Sequence, residues 1–187
     1  MFEHDIRKAL ARMFPPPKYA HFYEVRVPPG WKLVGGAKRR IADAIVVGRW
    51  PSSGLAVHGF EFKLFKGDWA QELSRPEKAG AIKQFCDYWW LVIGDERVAC
   101  EKSVPKDWGF LGPRASTNTL RTIRDAPRLS GLGAGREFLC SLLNQALEGA
   151  VKASALSPVG CMICEGCNRE RRCYDVEGKK ICIACRR

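Results

Sequence analysis

Between Ile41 and Phe65 the chain reads IADAIVVGRWPSSGLAVHGFEFKLF, two short apolar runs on either side of a Pro/Ser/Gly turn at 51–54. That pattern predicts two neighbouring strands joined by a tight connection. Side chains alternate along a strand, so Glu61 and Lys63 share one face while Phe60, Phe62 and Leu64 take the other. Asp43 interrupts a run of Ile41, Ala42, Ala44, Ile45, Val46 and Val47 that reads as buried on both faces. A charge in such a place is costly unless it is paired or holds a cation.

The same reading extends along the chain. Phe2, Ile6, Ala9, Leu10, Met13 and Phe14 form one helical stripe, ended by Pro15–Pro17. Glu3 falls in the first turn, where it favours the helix dipole. His21–Val27 predicts a strand whose Glu24 projects either towards the Asp43 strand, as a third metal-site carboxylate, or away from it; the sequence leaves both open. Residues 28–40 form a loop ending in Lys38, Arg39 and Arg40. A charge run is commonly a solvated loop, but this one leads into the Asp43 strand, which favours phosphate contact. Beyond Lys66, another basic candidate, Asp68 is placed to cap a short helix over Trp69–Leu73. Ser74 and Glu77 have capping-box spacing for a helix ending near Cys86, with Lys78 on the core-facing stripe of Ile82 and Phe85. Tyr88 then opens an apolar strand that puts Trp89 and Trp90 on opposite faces. Arg97–Cys100, Trp108–Leu111 and Leu120–Ile123 predict further short strands, and Glu137–Leu147 an amphipathic helix closing a domain over residues 1–148. Residues 149–160, rich in Ala, Ser and Gly, read as a linker to a small domain at 161–187.

Composition narrows the choice of partner. The 187 residues carry a formal net charge of +11, which points to an anionic partner, nucleic acid first. The charged, amphipathic N-terminal stretch lacks the pattern of a secretory signal, and no apolar run approaches the ~20 residues of a membrane helix. The expectation is a reducing, cytoplasmic location with no membrane partner.

Cysteine use is lopsided, with Cys86, Cys100 and Cys140 scattered and six crowded into 161–185. Scattered cysteines are most simply small buried hydrophobes. In the tail, Cys164-x2-Cys167 and Cys182-x2-Cys185 are two CxxC knuckles flanking a hairpin that turns at Glu177-Gly178, the spacing of a tetrahedral zinc site. So short and polar a segment needs such a metal to fold. Cys161 also forms a CxxC with Cys164, and Cys173 is a spare. The set 164, 167, 182 and 185 leaves the longest regular hairpin between knuckles. A tether to a protein partner is the role this ribbon suggests.

Asp43, Glu61 and Lys63 follow D-x17-E-x-K, and this spacing resembles the PD-(D/E)xK nuclease superfamily, with Ala42 at the proline position. GFEFK at 59–63, DWAQEL at 68–73, PEKAGAI at 76–82, DYWWLVI at 87–93 and VPKDWGFL at 104–111 are similar to its MmcB-like, DNA-repair-associated branch. The resemblance covers residues 1–112. It implies an α/β fold, a restriction-endonuclease-like mixed sheet flanked by helices, with the zinc ribbon appended. It implies further that Asp43, Glu61 and the main-chain carbonyl of Phe62 hold Mg²⁺ or Mn²⁺ while Lys63 assists phosphodiester hydrolysis of DNA. The rivals are a non-catalytic DNA- or protein-binding adaptor on the same fold, and an internal ion pair of Lys63 with Glu61 or Asp43 in an unrelated α/β domain.

Overall fold

The computed structural model describes the backbone of residues 1–26, 41–74, 77–114, 117–155, 158–163, 170–176 and 179–182, and the side chains of 1–26, 41–74, 79–114 and 117–147. Two compact units divide the chain, Met1–Leu142 and Leu143–Arg187.

The first unit is built on a six-stranded mixed sheet. Its strands, in spatial as in chain order, are β1 (Tyr19–Arg26), β2 (Ile41–Gly48), β3 (Val57–Lys63), β4 (Tyr88–Ile93), β5 (Gly109–Arg114) and β6 (Thr117–Arg124). The β1–β2, β2–β3 and β5–β6 pairs are antiparallel, whereas β3–β4 and β4–β5 are parallel. Antiparallel neighbours need only tight turns, and the β2–β3 connection is a single 3-10 turn at Pro51–Ser53 closed by Gly54 at φ 67°. Parallel neighbours need a crossover. The β3–β4 crossover supplies helices α2 (Lys66–Leu73) and α3 (Glu77–Lys83).

Both faces of the sheet are covered, which is why its central strands are mostly apolar. On one face α1 (Glu3–Met13) buries Ile6, Ala9 and Leu10, with Phe14, against Ala44, Val46, Phe60, Phe62, Trp90 and Val92. On the other, Trp69 of α2, Ile82 of α3 and Phe138 and Leu142 of α4 (Arg136–Ala155) pack with Ile45, Trp89, Leu91 and Ile93. The tryptophans of β4 thus divide between the faces, as the alternation predicts. Each lies over a glycine on the neighbouring strand: a Cβ at Gly59 would stand 2.2 Å from Trp89 Cε3, and one at Gly109 2.3 Å from Trp90 Cε3. The unit is therefore α/β, a mixed sheet flanked by helices.

Several local expectations shift. Arg97–Cys100 is a turn rather than a strand, since the Asp95 carboxylate accepts the Arg97 main-chain N–H at 2.8 Å and folds the chain back. Helix α2 starts at Lys66, so Asp68 lies in its first turn instead of capping it. Cys86 is buried as expected, but Cys100 and Cys140 are exposed. Helix α4 runs to Ala155 and a strand begins at Pro158, so most of the expected linker at 149–160 is regular. The alanines at 150, 153 and 155 favour helix and outweigh the single glycine at 149.

The second unit holds a three-stranded antiparallel sheet of β7 (Pro158–Ile163), β8 (Glu170–Val176) and β9 (Lys179–Cys182). The β8–β9 register, Val176 opposite Lys179, matches the expected hairpin. Among the described residues no helix is long and apolar enough to cross a membrane.

Candidate functional site

The site begins where β2 leaves β3. The two strands pair from Val47↔Val57 to Ala44↔Phe60 and stop there. One residue further, Asp43 turns its carboxylate into the opening, and Oδ2 accepts the main-chain N–H of Phe62 at 2.6 Å. A side chain thus replaces a ladder bond, which satisfies a buried donor and fixes the carboxylate beside Glu61, Phe62 and Lys63.

A distortion in the edge pair accompanies this. Tyr23 and Ala44 pack on the α1 face, whereas Val25 and Ala42 pack on the other. Residues two apart in a regular strand share a face. Both strands therefore skip one pleat together, at Glu24 and Asp43, and Glu24 takes a left-handed conformation at φ 54°. A non-glycine residue held there stores strain, on the order of 1–3 kcal/mol, of the kind that gathers at functional sites. Glu24 is 62% exposed at its side chain and pairs with Arg7 Nη2 at 3.1 Å; the same guanidinium also pairs with Glu3 and lies 4.6 Å from the centre of the Tyr23 ring. The proposed third carboxylate thus belongs to an Arg7-centred cluster. Glu3, which the sequence assigns to the helix dipole, is close enough to act on the charge of Asp43.

Glu61 and Lys63 emerge together from β3 on the α2 face, as the alternation requires. Lys63 Nζ lies 2.5 Å from Glu61 Oε1 and 3.1 Å from Glu72 Oε2. Glu72, on α2, is the buried charged residue of the described chain, 8% exposed. The internal pair of Lys63 with Glu61 is formed, and Glu72 turns it into a three-membered network. The sequence reading missed Glu72, although a signal was present: on a helix, Trp69 and Glu72 three residues apart share a face, and an inward tryptophan carries Glu72 in with it.

These groups open on a cavity of about 390 Å³ lined by Glu61, Lys63, Asp68, Gln71, Glu72 and Trp89, among others. Trp89 also has a buried Nε1 with no hydrogen-bond partner among the described residues. Burial raises the pKa of Asp43, against the Phe62 hydrogen bond and the charge of Lys63. Burial and the neighbouring Asp43 push Glu61 up to about 7, despite Lys63. Lys63 moves upward: burial disfavours its charge, but Glu61 and Glu72 together outweigh that. It is therefore a fixed cation near neutral pH, suited to electrostatic action rather than to that of a base.

Asp43, Glu61 and the carbonyl of Phe62 present hard oxygen donors in one place. Among the described residues, no three His, Cys, Asp or Glu side chains stand close enough to make a metal cluster by themselves. Of the basic candidates, Lys66 is exposed at the start of α2 and Lys78 lies in α3. Lys38, Arg39 and Arg40 lie outside the described residues, as do Cys164, Cys167 and Cys185. Cys182 is the last residue of β9, opposite Cys173 on β8.

The first unit is thus an α/β domain with a buried carboxylate–lysine network at a break in its sheet. A solved structure from Silicibacter pomeroyi, the SPO1766 protein of unknown function, has this fold. It matches with a TM-score of 0.54 at 16% identity, over 80% of this chain and 87% of that one. No family model and no curated protein matches the chain.

Proposed function

We propose that the chain is a Mg²⁺- or Mn²⁺-dependent DNA nuclease of the PD-(D/E)xK type, serving DNA repair, recombination or processing, with a restriction-endonuclease-like core and a zinc ribbon appended. The observation that carries this reading is the break between β2 and β3. It lets Asp43 cap the Phe62 N–H and stand beside Glu61, the Phe62 carbonyl and Lys63, the juxtaposition that a phosphodiester-cleaving site needs.

Asp43, Glu61 and the Phe62 carbonyl would hold the cation. The donor set fits a small hard ion, which takes one or two carboxylates and keeps its other positions for water and phosphate oxygens. When bound, that cation lowers the pKa of a coordinated water and offsets charge on the phosphate. The rest falls to the chain's own groups. Lys63, kept cationic by Glu61 and Glu72, orients a water and stabilises negative charge growing on the phosphate. The Asp43–Phe62 bond keeps one ligand from swinging into solvent, so little ordering remains for the reaction. The +11 net charge draws in the DNA backbone, and Lys66, Lys78 and the 38–40 run are its expected contacts.

One observation favours a second reading. Lys63 already pairs with both Glu61 and Glu72, so the three could be a structural ion network in a DNA- or protein-binding adaptor. Against it stands Asp43, whose half-buried carboxylate pairs with a main-chain N–H rather than with a cationic side chain. Nicking of plasmid and branched DNA with Mg²⁺ or Mn²⁺ decides between them. Activity in the wild type that disappears in Asp43→Asn and Lys63→Ala supports the nuclease. Wild-type protein that binds DNA but never cuts it supports the adaptor.

A further inference from the structure

We propose that Glu72 is a positioning residue: it supplies a second, standing seat for the Lys63 ammonium, so that Glu61 can turn to a cation without Lys63 leaving the site. This deepens the nuclease reading and rests on it for the role of the cation.

The argument starts from burial. Glu72 is 8% exposed on a helix whose other buried residue is Trp69, and a carboxylate taken so far out of water needs a partner. Trp69 fixes the rotation of α2: it is 4% exposed, and its Nε1 donates to Ser103 Oγ at 3.0 Å. That rotation presents Glu72 to β3. There Oε2 meets Lys63 Nζ at 3.1 Å, while Glu61 Oε1 holds the same ammonium at 2.5 Å. Lys63 has three donors and thus satisfies two carboxylates from two different elements.

The chemistry follows from competition. An ammonium on Glu61 occupies the oxygen that a divalent cation also needs. If Glu61 were the sole partner of Lys63, cation binding would have to expel a buried ammonium, which would then swing out of the site or stand unpaired within it. With Glu72 on its other side, Lys63 gives up one bond and keeps the other. The ammonium remains beside the scissile phosphate after the cation enters. Asp68 and Gln71, which line the same cavity from α2, are exposed, and neither makes a hydrogen bond or ion pair with Lys63.

The test measures Mn²⁺ binding by calorimetry on the full chain as wild type, Glu72→Gln, Lys63→Met and the double variant. If Glu72 acts through Lys63, Glu72→Gln weakens Mn²⁺ binding roughly 10- to 100-fold, the range for residues that support metal ligands. Most of that loss disappears in the Lys63→Met background, where no ammonium competes for Glu61. A loss of equal size in both backgrounds would overturn the proposal, because Glu72 would then be a ligand or a bare charge. No loss in either would overturn it too. A second readout needs no cation: the NMR signal of the Lys63 ammonium protons, protected from exchange while the group is held. Protection should survive in Glu61→Leu and vanish in the Glu61→Leu, Glu72→Leu double variant, in which neither side chain can accept. If Glu61→Leu alone abolishes it, Glu72 is not a seat. Should wild type bind no Mn²⁺, the nuclease reading falls, and the ammonium signal decides the role of Glu72 by itself.

Discussion

Asp43 and Phe62 are joined across the break in the sheet by a 2.6 Å hydrogen bond in which the carboxylate takes the place of a strand. Two consequences follow. The main-chain N–H of Phe62 is satisfied although no neighbouring backbone reaches it, and the same bond favours the charged form of Asp43 against burial, which still leaves its pKa raised.

That balance predicts how isosteric replacements behave. Asp43→Asn keeps an oxygen to accept the Phe62 N–H and removes a buried charge near Glu61 and Glu3. Cleavage should fall by at least ~100-fold, as for loss of a principal electrostatic group, while the metal-free melting temperature holds or rises. Glu61→Gln and Lys63→Ala should also abolish cleavage. Lys63→Ala should lower the melting temperature, because it strands Glu61 and Glu72 without their shared partner, a change that costs ~3–5 kcal/mol for a buried pair. Activity assays and thermal melts on the same preparations check both halves.

Glu61 carries a proton through part of the neutral range, since burial and Asp43 push it up to about 7. A cation takes the ionised form. Binding should therefore tighten as pH rises through about 7 and level off above it, releasing a proton in the process. Calorimetry in two buffers of different ionisation enthalpy measures that proton. Its absence below pH 7 would mean that Glu61 is not a ligand. With Ca²⁺, which takes the same oxygen ligands in a looser geometry, DNA binding should persist with little or no cleavage.

His58 makes a prediction of opposite sign on stability. It lies on β3 beside Tyr88, at 4.8 Å between ring centres, and beside Phe14, at 5.0 Å, and its Nδ1 accepts from Trp90 Nε1 at 3.3 Å. Burial lowers its pKa from 6.5 to about 4, against the pull of Asp87. The folded state therefore binds fewer protons than the unfolded one between these values, so stability rises with pH across that window and is complete above 6.5. Relative to His58→Phe, the wild type should lose stability as pH falls from 6.5 to 4, by roughly 3 kcal/mol at most. Urea unfolding at half-unit pH steps reads the difference. Glu61 tilts the curve the other way in both proteins and cancels in the comparison.

Much of this site was legible in the chain. Period-two alternation alone puts Glu61 and Lys63 together and opposite Phe60 and Phe62, and a charge within IADAIVV marks Asp43 as paired or ligating. What alternation cannot reveal is where two strands part. The skipped pleat at Glu24 and Asp43 depends on a left-handed backbone at a glutamate, a conformation that local propensity disfavours and tertiary packing imposes. Glu72 escaped for a different reason. Its shared face with Trp69 was legible, but a glutamate is ordinarily exposed, and what draws it inward is Lys63 on a separate strand. The end of α4 escaped likewise, because an Ala/Ser/Gly stretch serves equally as linker or helix until its neighbours decide.

The cysteine tail gives the last prediction. The connection from β7 departs after Ile163 and returns at Glu170, its register partner. From the Val176↔Lys179 end, β9 runs back along β8 to Cys182, which faces Cys173. The β7–β8 connection, which contains Cys164 and Cys167, and the chain end carrying Cys182 and Cys185 therefore leave the three-stranded sheet at the same end. Cys173 lies at the same level as Cys182, so it is the CxxC spacing of Cys164/Cys167 and Cys182/Cys185 that favours these four as the zinc ligands. The protein should carry about one zinc per chain. Cys164→Ser and Cys182→Ser should lose it, and Cys173→Ser should keep it. Four thiolates would leave zinc no open position for water, so such a metal would be structural. A chain ending before Ser157 should then cut short DNA nearly as well as the full chain, yet bind its preferred substrate or protein partner more weakly. Elemental analysis of the serine variants tests the ligand set; zinc lost from Cys173→Ser and retained in Cys164→Ser would reassign it.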